Sequence, residues 1–259
     1  MTAVAARAQR VAQRLAHALQ HQGLTLVYQP ELQLQPRQVL TFEALSRWHD
    51  DELGLVTPAE FIAVAEDHSL VRPLGQWVLQ QVLHDLPLLR ARWPGVRVAI
   101  NVSGVELAHP EFARGVTHSL AQAPEVQASH LEFEVTESVF HHDVPTVLQN
   151  LQSLRALGVT VAIDDFGTGQ SSLTRLHQLP FDKIKLDRAF VQSLDNPMVQ
   201  AIVQAMVRLA QQFGLQLVVE GVETLAQLEQ LQALGCPSVQ GYLLGAPHAL
   251  PSLLSQPLP

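Results

Sequence analysis

The feature that most constrains this 259-residue chain is its regular alternation of short apolar strands with helix-forming segments, joined by brief links. Strand-like runs stand at 24–31 (LTLVYQPE) and, after a proline-containing turn, at 39–48 (VLTFEALSRW). Pro58 suits the start of a helix over 59–66, and Pro73 opens a longer one to about residue 93. A strand at 96–103 (VRVAINVS) precedes helical sequence over 110–122, and a strand at 131–137 (LEFEVTE) precedes a helix over 144–157 that stops at Gly158. The pattern continues with a strand at 160–163, a short helix at 171–179 and a strand at 181–187 (FDKIKLD). A helix over 197–213 then ends at Gly214, followed by a strand at 215–220, a helix over 223–234 that stops at Gly235 and a last strand at 238–244 (SVQGYLL). Strands separated by helices predict parallel βαβ units. This many units predict an α/β fold of the (β/α)8 TIM-barrel type, for which about 250 residues is typical. An open doubly wound sheet is the alternative. Residues 23–259 read as the barrel, and residues 1–22 as an amphipathic helix or a linker from an upstream domain.

In that first segment Val4, Val11, Leu15 and Leu19 form one apolar stripe. Arg7, Arg10 and Arg14 all precede the first acid, Glu31, as in a transit peptide, but the segment lacks the serine such peptides are rich in. The formal net charge of −8 argues against a nucleic-acid polymer as partner, because phosphate backbones need a basic surface. It leaves room for a small phosphorylated ligand held by one arginine and metal ions. A single cysteine, Cys236, forbids an internal disulfide and fits a reducing, cytoplasmic setting. No apolar run reaches membrane-spanning length, so no membrane partner is expected of this chain.

Polar residues recur at one position in the pattern. Glu43, Asn101, Glu134, Asp164, Lys185 and Glu220 each end or nearly end an apolar strand, on the face opposite the helix-packing residues. In a barrel they gather at the C-terminal rim, where barrel enzymes keep their chemistry. Any one acid at a strand end reads equally as a solvated residue or a helix cap, and Asp164-Asp165 before a glycine-rich loop reads equally as a turn. Together, however, so many carboxylates repel unless cations compensate them. All-oxygen ligands suit magnesium or manganese rather than zinc. His141 and His142 lack the spacing of a zinc helix, and GTGQSS is not followed by the Lys-Ser/Thr of a phosphate loop. There is no Gly-x-Ser-x-Gly elbow for a serine nucleophile.

These residues resemble the EAL domain family of bacterial cyclic di-GMP phosphodiesterases, over 24–247. The triplet Glu43-Ala44-Leu45 runs on to Arg47, and the other motifs follow in family order: NVS from Asn101, EVTE from Glu134, DDFGTG from Asp164, KIKLD from Lys183, EGVET from Glu220 and QGYLLGAP from Gln240. The resemblance implies a modified barrel whose first strand is antiparallel to the rest, and two divalent metal ions, Mg2+ or Mn2+, with Ca2+ inhibitory. It implies that Glu43, Asn101, Glu134 and Asp164 hold the first ion. Asp164, Asp165 and Glu220 would surround the second. Lys185 matches a residue at the hydrolytic water, Gln240 one supporting the metal waters, and Arg47 a contact to a ligand phosphate. Gln29 and Leu45 match contacts nearer the nucleotide, and Glu137 an anchor for the loop 166–172, which the family links to dimerisation. The implied reaction opens cyclic di-GMP to linear pGpG, in a homodimer, with an upstream sensory or GGDEF domain as the attached segment. Gln170, Leu244-Gly245-Ala246, Asp50 and His68 depart from the family pattern without touching a matched metal ligand. Two other readings are a cyclic di-GMP receptor without turnover and an enolase-type barrel using Lys183 or Lys185 as base. In the latter the base-bearing strand is expected ahead of the metal-bearing ones, whereas here it follows most of them.

Overall fold

A computed structural model describes residues 3–21, 23–167 and 180–255. Its strands are β1 (Leu24–Leu34), β2 (Arg37–Asp50), β3 (Gly54–Val56), β4 (Arg97–Asn101), β5 (Leu131–Thr136), β6 (Thr160–Phe166), β7 (Lys183–Leu186), β8 (Gln216–Val219), β9 (Ser238–Gln240) and β10 (His248–Ala249). Hydrogen bonding passes from β1 to β2, then through β4, β5, β6, β7, β8 and β9 in turn, and from β9 back to β1. The sheet therefore closes as an eight-stranded barrel, and the open-sheet alternative falls. β1 is antiparallel to both barrel neighbours, and every other barrel pairing is parallel. β3 and β10 are antiparallel additions to β2 and β1.

Strands buried on both faces are what a helix-wrapped parallel barrel requires. β7 is buried at every position, and β5 at every position but its last. The helices that cover them are bounded by local chemistry. In α2 (Pro58–Asp67) the Thr57 side chain accepts from the Glu60 amide, with Pro58 first in the helix. The helix Pro197–Phe213 is capped by the Asn196 side chain and stopped by Gly214. A helix also occupies Val144–Leu157, closed by Gly158 at φ 100°, a left-handed conformation that favours glycine.

Several boundaries differ from the sequence reading. Helix α3 (Val71–Arg92) starts two residues before Pro73. Proline is tolerated in that first turn because its missing N–H has no intrahelical acceptor there. The strand expected over 181–187 is confined to Lys183–Leu186, since Asp187 instead caps the helix Arg188–Gln192 by accepting from the Ala189 amide. The last barrel strand stops at Gln240, after which Leu244 and Gly245 fold back onto the Gly241 carbonyl. The expected helix at 171–179 lies outside the described residues.

Helix α1 (Ala3–Gln20) lies against the barrel's helical layer. Val11 and Leu15 are fully buried and Leu19 packs on the core, as the stripe predicts, while the side chain of Val4 is outside the described residues. Arg14 donates to Asp50 at the end of β2 and to Glu52, both at 2.8 Å, and Arg7 pairs with Glu60 of α2 at 2.5 Å. Cys236 packs in the core. Among the described residues no helix is long and apolar enough to cross a membrane.

Candidate active site

Parallel register brings the strand-end residues to one rim. Asn101 of β4 stands beside Glu134 of β5, and Thr136 beside Asp164 of β6. Glu43 of β2 faces Gln29 of β1 across the antiparallel pair. The β6–β7 register breaks between Ile163 and Phe166, and Asp165 sits in this bulge at φ 53°. That left-handed turn frees Asp165 from strand alternation, so that Asp164, Asp165 and Glu220 can each bring a carboxylate oxygen within 4.8 Å of the others.

Lys185 is the hub of this rim. Fully buried, it lies 2.8 Å from Glu134 and from Glu220, 3.4 Å from Asp164 and 3.6 Å from Glu43. Burial disfavours its charge, but Asp164, Glu134, Glu220 and Glu43 outweigh it and hold its pKa well above the ordinary lysine value. Glu43 is gripped on both oxygens, accepting from Asn101 Nδ2 and Gln240 Nε2 at 2.8 Å each. Burial pushes its pKa up, yet Lys185, Gln240 and Asn101 together bring it below the usual value. Glu134, Asp164 and Glu220 are all raised, with burial the largest cause and neighbouring carboxylates adding to it. Burial, with Asp164 and Asp187, lifts Asp165 to about 6.

The nucleotide-side residues surround this cluster less tightly. Gln29 donates to the Gly245 carbonyl at 3.2 Å, and Arg47 donates to the Ser46 carbonyl at 2.9 Å. Leu45 and Arg47 are half-buried on β2. Glu137, just past β5, accepts from the Gly167 amide at 3.2 Å. A Cβ at Gly167 would lie 2.5 Å from the Phe190 ring, so the chain after Asp165 runs close to the helix Arg188–Gln192. Gln170 and the rest of the loop beyond Gly167 lie outside the described residues.

A second polar layer lies beneath the rim, where strand alternation places Glu132 on the face of Glu134 and Lys183 on that of Lys185. Lys183 donates to Glu31 and to Glu132, the latter at 2.6 Å, all three almost fully buried. Arg97 approaches the outer oxygen of Glu132 at 3.8 Å. The sequence signal for Glu31 is its alternation with Gln29 on the polar face of β1, where the neighbouring Thr25, Gln29 and Gln33 are not buried. Glu31, Glu132 and Glu134 can also converge within 4.8 Å, but there Lys183 already supplies the cation.

Metal ions fit the rim on its own chemistry. Among the described residues both oxygens of Glu134 and Oδ1 of Asp164 are buried without a hydrogen-bond donor, their contacts to Lys185 being ion pairs only. Buried acceptors of this kind call for a partner. Within the rim the carboxyls of Glu43, Glu134, Asp164 and Glu220 share the single ammonium group of Lys185. Glu43, Asn101, Glu134, Asp164, Asp165 and Glu220 offer an all-oxygen set on one rim, as hard divalent cations prefer.

Comparison with known proteins agrees with this geometry. The chain is 44% identical over 241 residues to the uncharacterized protein y4lL of Sinorhizobium fredii, covering 92% of this chain and 28% of the relative. It is 42% identical over 227 residues to the cyclic di-GMP phosphodiesterase PA2567 of Pseudomonas aeruginosa, covering 87% of this chain and 38% of that protein. The chain thus spans well under half the length of these relatives. Among solved structures, the PaMucR phosphodiesterase in complex with c-di-GMP superposes with a TM-score of 0.86 at 38% identity, over 94% of this chain and 99% of that one. The family model described as the EAL domain matches residues 12–247. With its rim of strand-end acids around one buried lysine, this chain is a member of the EAL domain family.

Proposed function

We propose that this chain is a metal-dependent phosphodiesterase that hydrolyses cyclic di-GMP to linear pGpG. The observation that carries the reading is the complete set of carboxylates around Lys185, with no family-matched position lost. In the reaction a water oxygen bonds to phosphorus while the bond to one ribose 3′ oxygen breaks, and that oxygen takes a proton. Glu43, Asn101, Glu134 and Asp164 would hold one divalent ion, and Asp164, Asp165 and Glu220 a second. When bound, such ions lower the pKa of water and offset charge on the phosphoryl oxygens. Magnesium or manganese suits the site, whereas calcium, larger and less strict in geometry, would allow binding without cleavage.

The chain's own residues then orient and stabilise. Lys185, kept charged by its four acids, is a positioned cation rather than a base; it holds the attacking water and offsets charge as it grows on phosphorus. Arg47 would pair with a phosphate through its forked donors. Gln29 and Leu45 would border the nucleotide, and Gln240 orients Glu43. Glu137 acts through the Gly167 amide, bracing the segment that follows Asp165. The working form would be a cytoplasmic homodimer within a longer signalling chain.

Chromatography of products after incubation with cyclic di-GMP and magnesium tests the reading. The wild type should release pGpG, and Glu43→Ala should abolish turnover because an ion loses a direct ligand. Tight binding with no pGpG in either magnesium or manganese would instead make the chain a receptor.

A further inference from the structure

A cavity of about 600 Å³ lies outside the barrel wall between α3 and the helix Phe112–Ala121. Its floor is apolar, formed by the outward-facing Ile100 and Phe133 of β4 and β5 with Leu79 and Phe112. One charged group reaches it from within the fold. Glu106, in the short helix Gly104–Leu107, is 6% exposed and lines the cavity. Its Oε2 accepts from the Ser103 amide at 3.3 Å, completing a capping box, while Oε1 has no hydrogen-bond partner among the described residues. Oε1 packs against the bare backbone of Gly75 in α3, where a Cβ would come within 1.8 Å of it. No cationic side chain among the described residues comes within ion-pair distance of Glu106. Around the cavity Glu66 and Glu106 stand with Arg72, Glu111 is paired with Arg114 at 2.5 Å, and His118 is the remaining titratable group.

We propose that this cavity is a binding site for a small organic cation, a flat or aliphatic apolar body carrying an amidinium or ammonium group that pairs with Glu106. A cavity of this size suits a small molecule, and an apolar floor with one convergent polar group is the usual make-up of such sites. The Glu106 carboxyl, without an ion-pair partner among the described residues, selects positive over negative charge. Burial, with Glu66 nearby, holds the Glu106 carboxyl up at about 8, although the Ser103 amide and Arg72 oppose it. A bound cation would supply the partner that the ionised form lacks and so favour that form. The site is distinct from the catalytic rim, with Asn101 at the border between them.

Two variants separate this site from the acidic rim. Glu106→Gln keeps the capping box, which glutamine also makes, and removes only the charge. A Cβ at Gly115, on the cavity lining, would have nothing within 4 Å, so Gly115→Leu can grow across the opening without a clash. The probe is benzamidine, followed by calorimetry or ligand-observed NMR, with neutral benzamide as control. Wild type should bind benzamidine saturably and benzamide at least tenfold more weakly. Glu106→Gln and Gly115→Leu should each weaken benzamidine at least tenfold, with unchanged cyclic di-GMP turnover and no fall in the thermal midpoint. Absence of saturable benzamidine binding overturns the proposal, as does equal affinity in wild type and both variants, which would place the probe elsewhere.

Discussion

Lys183 and Lys185, two residues apart on one strand, face the same interior and do different work. Lys185 meets the rim acids, and in the proposed reaction its contribution would grow between ground state and transition state and so act on turnover. Lys185→Ala should lower turnover in magnesium by about a hundredfold or more. Calorimetric binding of cyclic di-GMP in calcium should stay within about tenfold, a change of about 1.4 kcal/mol. Collapse of binding with turnover intact at saturation would make Lys185 a ligand contact instead. Lys183 belongs to the layer below and is ion-paired with Glu31 and Glu132. Removing one partner of such a buried group leaves uncompensated charge and costs about 3–5 kcal/mol. Lys183→Met should therefore unfold at markedly lower urea, and adding Glu31→Leu with Glu132→Leu should recover most of the loss; no recovery would show that the layer is not a closed ionic unit. Glu134, Asp164 and Glu220 are readable from sequence because each stands at or near the end of an otherwise apolar strand, whereas Glu43 lies midway along β2 (Arg37–Asp50) and reaches the rim because β2 pairs with β4 only over Thr41–Ala44. Glu31 is not readable in this way, because on β1 it shares its face with the partly exposed Gln29 and Gln33 and alternation alone does not tell a buried acid from a solvated one.

Among the elements, the turn after β6 depends most on its neighbours. Asp165 departs from the strand at φ 53°, and the Gly167 amide is then held by Glu137. Glu137→Ala should cut turnover several-fold while the circular-dichroism spectrum and thermal midpoint stay near wild type; an unchanged turnover number would remove Glu137 from the mechanism. Helix α1 is fastened differently. Asp50 accepts from Arg14 and from the amides of Glu52 and Leu53, so one carboxylate both docks α1 and shapes the turn after β2. Its departure from the family pattern thus has a structural use. Asp50→Ala should cost about 1–3 kcal/mol, read from the denaturation midpoint, because it leaves donors without an acceptor. The helices Val144–Leu157 and Pro197–Phe213 match their sequence-based bounds because proline, asparagine and glycine mark their ends chemically. The strands Gly54–Val56 and His248–Ala249 escape a sequence reading because two or three residues carry no period, and they form only by pairing with partners already placed.

At the scale of the molecule, the proposed loading of the interior acids with metal would be a stabilising event. A ligand that binds the folded state at about a hundred times its dissociation constant adds about 2.7 kcal/mol. Saturating manganese should raise the thermal midpoint and chelator should reverse it, while Glu43→Ala should blunt the rise; an identical shift in that variant would place the ions elsewhere. Specific activity should fall on dilution through a monomer–dimer transition measured by sedimentation, as expected if partner contacts order the segment after Asp165. The barrel itself is foreseeable from the count of strand–helix units, whereas its closure through an antiparallel β1 follows from family resemblance rather than from periodicity. That closure also sets an order on how the protein is made. Glu43 leaves the ribosome early, but Gln240, which holds one of its oxygens, lies 197 positions later, and β1 gains its second barrel neighbour only from β9. Every earlier strand can pair with its predecessor as it emerges, while the seam stays open until the end of synthesis. A nascent chain arrested before Ser238 should therefore carry all the rim carboxylates and still fail to retain cyclic di-GMP on the stalled ribosome, and the same chain released at full length should capture it.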